Sequence, residues 1–265
     1  MKTSLIIVTY NRPKALEVIL KSILKQTQIP HEVIIADDGS EKETENLINK
    51  YSINFQCNLK HVWHEDMGFR AAAIRNKAVK ASTGEYLIFS DGDLFFNPHF
   101  IKDYKRNAAK GEARIGSRVF LTERATKKRI QKQNCNAVFP FFSNEIEINQ
   151  LNAIRIPVIN NFFGVQKYRS NLRGGLLGVW KNDLETINGW NENFTGWGME
   201  DTELVARLWL KGIKLKKLKF AGITYHLWHP HLSRQQIHKN EELLANCIKS
   251  KKSWCDNGLI KDKKI

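Results

Sequence analysis

No apolar run in these 265 residues approaches the roughly 20 needed to cross a bilayer. The apolar part of Met1-Lys2-Thr3-Ser4-Leu5-Ile6-Ile7-Val8 is too short for a signal peptide and reads as a first strand. A cytoplasmic location is the default expectation. Cysteine is scarce: Cys57, Cys135, Cys247 and Cys255 lie far apart, without metal-site spacing, and are expected to be free thiols. There is no internal repeat and no low-complexity segment. Acids are outnumbered, 27 Asp and Glu against 42 Lys and Arg, and the net charge of +15 attracts polyanions. Nucleic acid is the weaker choice of partner, because the basic residues carry no recognition motif. An anionic membrane surface or a phosphate-bearing substrate fits better.

What is present is an alternation of strand and helix signals over the first 93 residues. Strand patterns run from Ser4 to Thr9, Glu32 to Ala36, Leu59 to Trp63 and Glu85 to Ser90. Between them lie helix patterns after Pro13, from Glu41 to Tyr51 and from Arg70 to Ala81. Such alternation predicts an α/β fold with a mostly parallel sheet and right-handed crossovers. From about Asn97 to Arg173 periodicity weakens, with a strand expected from Arg114 to Leu121 and the remainder read as an irregular, specificity-bearing insert. Beyond it come strands at Gly174 to Lys181 and Ile213 to Phe220, a helix from Thr202 to Leu210, and a basic, partly helical tail.

Polar clusters follow three of these strands, at the carboxyl ends where open α/β sheets place ligands. Val8-Thr9-Tyr10-Asn11-Arg12 offers exposed backbone and an aromatic ring for a nucleobase. Asp37-Asp38-Gly39-Ser40 offers a carboxylate to the N3 hydrogen of uracil. Ser90-Asp91-Gly92-Asp93 sets two hard oxygen ligands at one point, suited to Mg²⁺ or Mn²⁺ bound jointly with a diphosphate. Each cluster alone is an ordinary polar turn; their succession is what argues for a site. Arg75, in a helix start rich in alanine, is a charge-assisted donor to phosphate or a plain surface arginine.

Two later blocks extend the argument. Gly189-Trp190-Asn191-Glu192-Asn193-Phe194-Thr195-Gly196-Trp197-Gly198-Met199-Glu200-Asp201 combines aromatic platforms for sugar rings with a carboxylate pair. That pair reads either as ordinary helix capping or as the means to deprotonate a sugar hydroxyl. Tyr225-His226-Leu227-Trp228-His229-Pro230-His231 holds three histidines, of which His226 is the first choice to complete a metal site with Asp91 and Asp93, His229 the second and His231 the last.

These stretches, together with the one running from Arg173 to Gly212, resemble a nucleotide-sugar glycosyltransferase of the GT-A fold, of the large inverting bacterial family, with a galactosyltransferase or chondroitin-polymerase type module in its second half. The resemblance covers most of residues 4 to 230 outside the central insert. It implies a nucleotide-sugar-binding half (1–95), an acceptor-binding and catalytic half (96–231) and a basic C-terminal tail (232–265). It implies that Tyr10 and Asp38 bind the base, normally uracil, that Arg75 meets the diphosphate, and that Val8, Arg12 and Asp91 also belong to the nucleotide site. Asp91, Asp93 and His226 would hold Mn²⁺ or Mg²⁺, Asp201 would be the catalytic base, and Glu200, Trp197 and Trp190 would meet the acceptor. Met199 departs from the galactosyltransferase pattern, which has glycine there. The acceptor class implied is a saccharide or lipid-linked sugar of a bacterial surface polysaccharide or lipopolysaccharide, with peripheral contact at the inner face of an anionic membrane. A sugar nucleotidyltransferase is the rival enzyme, but it normally carries a glycine-rich loop after its first strand, which Val8 to Arg12 lacks. A non-catalytic nucleotide- or carbohydrate-binding protein of the same fold is the other rival, and the intact acids and His226 argue against it.

Overall fold

The computed structural model describes residues 1–137, 139, 143–165, 174–230 and 234–261. His231, Arg173 and the Pro140-Phe141-Phe142 run lie outside the described residues. Eleven strands form two sheets among the described residues. The larger contains β1 (Thr3–Thr9), β2 (Glu32–Asp37), β3 (Asn58–Trp63), β4 (Tyr86–Asp91), β6 (Glu112–Ile115), β9 (Leu176–Trp180) and β10 (Lys214–Lys217), in the order β10-β6-β9-β4-β1-β2-β3. All neighbours pair in parallel except β9, which is antiparallel to both β4 and β6. The smaller sheet joins β5 (Leu94–Phe96), β11 (Ile223–His226), β7 (Ser117–Leu121) and β8 (Ile146–Ile148) in the order β5-β11-β7-β8.

The continuous apolar runs of β1, β2 and β4 follow from burial on both faces. Leu5, Ile7, Val33, Ile35 and Ile88 point into one core with Leu16, Ile19 and Leu20 of α1 (Pro13–Leu24). Ile6, Ile34, Leu87 and Phe89 point the other way, onto Ala72, Ile74 and Ala78 of α3 (Ala71–Ala81) and Leu204, Val205 and Leu208 of α7 (Glu200–Leu210). α2 (Lys42–Ser52) flanks β3, its first turn acidic as the helix dipole favours.

Two expectations change here. The segment from Arg114 to Leu121 is not one strand: Gly116 breaks it, and β6 and β7 belong to different sheets. A Cβ on Gly116 would run into Leu176 and the Tyr104 hydroxyl, so the chain crosses there only because no side chain is present. The supposedly irregular insert is also well organised in its first part, with α4 (Phe100–Asn107) and α5 (Glu123–Lys132), the latter capped by the Thr122 hydroxyl. Its weak periodicity reflects short elements facing two different sheets. No boundary is visible at residue 95 in the main sheet, because β6, β9 and β10 of the second half extend the sheet begun by β1 to β4. No helix among the described residues is long and apolar enough to cross a membrane.

The C-terminal segment is knitted into this body. After the short α6 (Lys181–Glu185), the chain turns through Asn188 at φ 63°, and α8 (Ile237–Ser250) packs on α7. Asn188 donates to the carbonyls of Cys255 and Ile260 and accepts from the Ile260 N–H, which lays residues 255–261 across the turn. Inside α7, Arg207 is 1% exposed, forks onto both oxygens of Glu203 at 2.8 Å and donates to the Ile187 carbonyl at 2.7 Å. Truncating one member of such a pair strands a buried charge, so Arg207→Ala is expected to cost about 3–5 kcal/mol in urea unfolding. The double replacement Glu203→Leu with Arg207→Met should cost far less, because neither charge is left alone.

Candidate active site

Register brings the polar clusters together. Thr9 lies opposite Asp37 on one side, and Val8 opposite Asp91 on the other, so the ends of β1, β2 and β4 finish level. A Cβ on Gly92 would strike the Val8 carbonyl, which is why the turn between the two carboxylates takes glycine. The chain then enters β5, which pairs with β11 so that Leu94 faces His226 and the Leu227 N–H donates to the Asp93 carbonyl. Pairing between a strand at residue 94 and one at residue 226 is thus what delivers the histidines.

At this corner, His226 Nε2 lies 3.3 Å and His229 Nε2 3.0 Å from Asp93 Oδ2. The ligand atoms of Asp93, His226 and His229 all lie within 4.8 Å of one another. The other Asp93 oxygen is buried without a hydrogen-bond partner. The two imidazoles hold the Asp93 carboxyl far below the usual carboxylate range against the opposing effect of burial, and Asp93 raises His229 in return. Arg12 stands within electrostatic reach of both Asp93 and His229, while burial lowers its own pKa. One carboxylate and two imidazoles on a common point, with a spare buried oxygen, fit a divalent ion. The imidazoles favour a transition ion such as Mn²⁺ over Mg²⁺, which prefers an all-oxygen shell.

Of the expected set Asp91, Asp93 and His226, the structure brings Asp93 and His226 together with His229, the second choice. Asp91 is engaged by two arginines: Arg75 Nη2 reaches its Oδ1 at 3.0 Å and Arg118 Nη2 its Oδ2 at 2.9 Å.

Arg75 is the hub of the second corner. It is 3% exposed, and besides Asp91 it meets Glu200 Oε1 at 3.3 Å and Asp201 Oδ1 at 3.5 Å. These contacts keep it charged in spite of burial. Glu200 and Asp201 begin α7, where the helix dipole favours carboxylates. Asp201 nevertheless has its pKa pushed up to about 7, chiefly by burial and then by the negative charges of Glu200 and Asp91, with Arg75 and Arg118 opposing. Its Oδ1 accepts no hydrogen bond, and 17% of its side chain stays exposed. A carboxylate poised near neutrality, with one oxygen buried against Arg75 and the side chain still partly exposed, suits a general base. Gly175 lets the backbone pass close to these groups: a Cβ there would lie 2.5 Å from Asp91 Oδ2, 2.6 Å from Arg118 Nη2 and 2.7 Å from Asp201 Oδ2 and would clash with all three.

The loop that carries this pair is pinned from outside. Gly196 N–H donates to the Phe69 carbonyl, and the buried Asn240 of α8 donates to the carbonyls of Thr195 and Gly198. Trp197 is half-buried, with the Arg234 guanidinium 5.4 Å above its ring. Trp190 does not join it as an acceptor platform. It is fully buried, packed edge-on against Phe89, and its ring supports Arg75 at 4.4 Å, so no face is open to a sugar. Met199 stands at φ 71°, a conformation that glycine adopts without strain.

At the first strand ends, Tyr10 is 46% exposed and donates its hydroxyl to Asp66 at 2.8 Å. Val8 is partly buried beneath it in sequence, at the strand end. Asp38 is 3% exposed, and its oxygens accept from His64 at 2.6 Å and from the Arg70 N–H at 2.9 Å. Asp38, expected to face the base, thus lies at the end of β2 with both oxygens hydrogen-bonded within the protein. Sequence reasoning missed Arg118, Gly175, Asp66, Asn240 and Arg234. Only the glycine pair at 174–175 carried a local signal, a strand entered through residues without side chains.

Comparison with known proteins agrees with this geometry. The model of glycosyl transferase family 2 matches residues 4–167, and that described as the N-terminal domain of galactosyltransferase matches residues 155–230. The chain is 30% identical over 237 residues to chondroitin synthase of Escherichia coli, an alignment covering 84% of this chain and 34% of that protein. It thus spans about a third of that relative's length. Among solved structures, S. aureus TarS 1-349 in complex with UDP-GlcNAc superposes with a TM-score of 0.64 at 19% identity, over 92% of this chain and 66% of that one. The mannosyltransferase PcManGT from Pyrobaculum calidifontis in complex with GDP-Man and Mn²⁺ gives 0.58 at 17%, over 85% and 56%. Both share the GT-A arrangement of a mostly parallel sheet with flanking helices.

If Asp93, His226 and His229 hold an ion, Mn²⁺ raises the melting temperature of the intact protein, since a ligand that binds only the folded state stabilises it by mass action. Scanning calorimetry with and without Mn²⁺ should show that rise for the natural chain and its loss in His229→Ala.

Proposed function

The chain belongs to glycosyl transferase family 2, and on that footing we propose that it moves a sugar from a nucleoside diphosphate sugar to a hydroxyl of a saccharide or lipid-linked acceptor, with inversion at the anomeric carbon. The observation that carries this reading is the position of Asp201, a buried carboxylate shifted to about 7 that packs with the Asp91–Arg75–Arg118 network against the bare backbone of Gly175. In this reading Tyr10 and the adjoining loop take up the base, UDP being favoured by the TarS complexes named above. Arg12 offers a cationic donor to the diphosphate, while Arg75, expected there, is buried among Asp91, Glu200 and Asp201. The divalent ion, when held by Asp93, His226 and His229, supplies electrostatic stabilisation of the departing nucleoside diphosphate.

The protein's own groups do the rest. Arg75 and Arg118 hold the Asp91 carboxylate at two atoms, which keeps the floor of the donor site rigid before any ligand arrives. Asp201 accepts the proton of the attacking hydroxyl through Oδ2, since Oδ1 is buried against Arg75, on the side of the anomeric carbon opposite the diphosphate, and the configuration inverts. Trp197 supplies an aromatic face for the acceptor ring, Glu200 an acceptor for its hydroxyls, and Asn240 keeps the loop that bears them in place. Surface polysaccharide or lipopolysaccharide synthesis at an anionic membrane face suits the charge of +15.

Asp201→Asn removes the base while keeping the shape. Transfer measured by release of nucleoside diphosphate in the presence of acceptor is expected to fall by roughly 10²–10⁴-fold, with donor binding retained by calorimetry. Near-normal transfer by that variant would remove Asp201 from the role. Because the base must be ionised and its pKa lies near 7, kcat/KM for the acceptor should rise about tenfold per pH unit below about pH 7 and level off above it. Gly175→Ala should lower the melting temperature and cut transfer sharply, since the added methyl would displace Asp91, Arg118 and Asp201.

A further inference from the structure

The C-terminal segment 255–261 lies across the chain at 188–193, and a continuous set of contacts runs from it to Arg75. The Leu259 N–H donates to the Asn188 carbonyl at 2.9 Å, and the Glu192 N–H to the Asn257 carbonyl at 2.8 Å. Lys261 Nζ lies 3.0 Å from Glu192 Oε2, and Leu259 shares a core with Trp190 and Ile74. Two glycines permit this approach. A Cβ on Gly258 would strike the Asn188 carbonyl, and one on Gly189 would lie 2.5 Å from Leu259 Cγ and 2.7 Å from Asn76 Oδ1. Asn76, 1% exposed and next to Arg75 on α3, carries the constraint inward. Its side chain accepts the Trp190 N–H at 2.9 Å and donates to the Trp190 carbonyl at 2.8 Å and to Glu192 Oε1 at 2.9 Å. The Trp190 indole has no polar tether of its own, because its Nε1 is buried without a hydrogen-bond partner. Its backbone clamp and its packing on Phe89 are what orient it beneath Arg75.

We propose that residues 255–261 form a strap that positions Trp190 under the Arg75 guanidinium, with Asn76 and Glu192 as the positioning residues that pass the constraint on. This rests on the sugar-transfer reading above and adds to it a segment that carries none of the reacting groups. Arg75 in turn holds Asp91, Glu200 and Asp201 at 3.0 to 3.5 Å. A slack strap therefore lets the guanidinium, and the candidate base beside it, drift from their places. Displacement of a reacting group by about 1 Å is enough to cost roughly 10²-fold in rate. The Lys261–Glu192 pair contributes little alone, because the lysine is exposed. The main-chain bonds and the Leu259 side chain carry the strap.

Two variants of the full chain test this. Gly258→Ala lifts the strap by driving a methyl into the Asn188 carbonyl, and Leu259→Ala loosens it without a clash. Hydrogen exchange read by mass spectrometry should show, in both, amides of 189–201 exchanging faster by roughly fivefold or more, with α1 and α2 unchanged. The second measurement is UDP release, with Mn²⁺ present, from UDP-glucose, UDP-galactose, UDP-GlcNAc and UDP-GalNAc, with water as acceptor. For the donor that the natural chain cleaves fastest, kcat should fall roughly 10–100-fold in both variants while the donor KM stays unchanged. A general loss of stability does not separate kcat from KM in this way. Leu259→Met, which keeps the volume, should restore natural exchange and natural kcat. The proposal is overturned if faster exchange stays within 255–261, if it spreads equally to α1 and α2, or if kcat stays normal once 189–201 is loosened. Release of UDP from none of the four donors by the natural chain counts against the nucleotide-sugar reading, and the exchange pattern then decides the strap separately.

Discussion

Everything at the candidate site depends on one buried guanidinium. Arg75 brings Asp91, Glu200 and Asp201 within 3.0 to 3.5 Å of a single cation, three carboxylates drawn from a strand end and a helix start 110 residues apart. Without that charge the acids would repel one another in a poorly hydrated space, and the ends of β4 and α7 could not meet there. The arginine is itself kept in place by the indole of Trp190, which is anchored edge-on by Phe89 of the central strand. Packing, charge and site geometry are therefore one arrangement.

Close backbone approach is the second constraint. Gly92 lets the turn between Asp91 and Asp93 pass the Val8 carbonyl, and Gly175 lets Asp91, Arg118 and Asp201 converge on its bare backbone. At both places the missing side chain is what allows polar groups from different strands to share a space. The C-terminal helix adds a third tie, through Asn240, so the chain after residue 232 is structurally part of the loop that bears Trp197.

The two corners differ in chemistry because their partners differ. Asp93 faces imidazoles and stays strongly acidic, whereas Asp201 faces other carboxylates in a buried setting and is pushed towards neutrality. Identical side chains thus acquire the two properties that metal holding and proton acceptance require, and they do so through neighbours distant in sequence.

Much of this was legible in the amino-acid order. Doubly buried strands wrote themselves as unbroken apolar runs at Leu5–Val8, Val33–Ala36 and Leu87–Phe89, and the acids that follow them fell at carboxyl ends because strand length and turn chemistry are local properties. The carboxylate pair before α7 and the histidines after β11 were likewise visible as residue types in the right order. Tertiary structure alone decided which of them meet. It turned Trp190 into the core, set His229 with His226 beside Asp93, bound Asp91 to two arginines, split the strand at Gly116 between two sheets and brought in Arg118. Those outcomes depend on register, burial and charge pairing between segments far apart in the chain, and no local pattern encodes the distance between two side chains that only folding brings together.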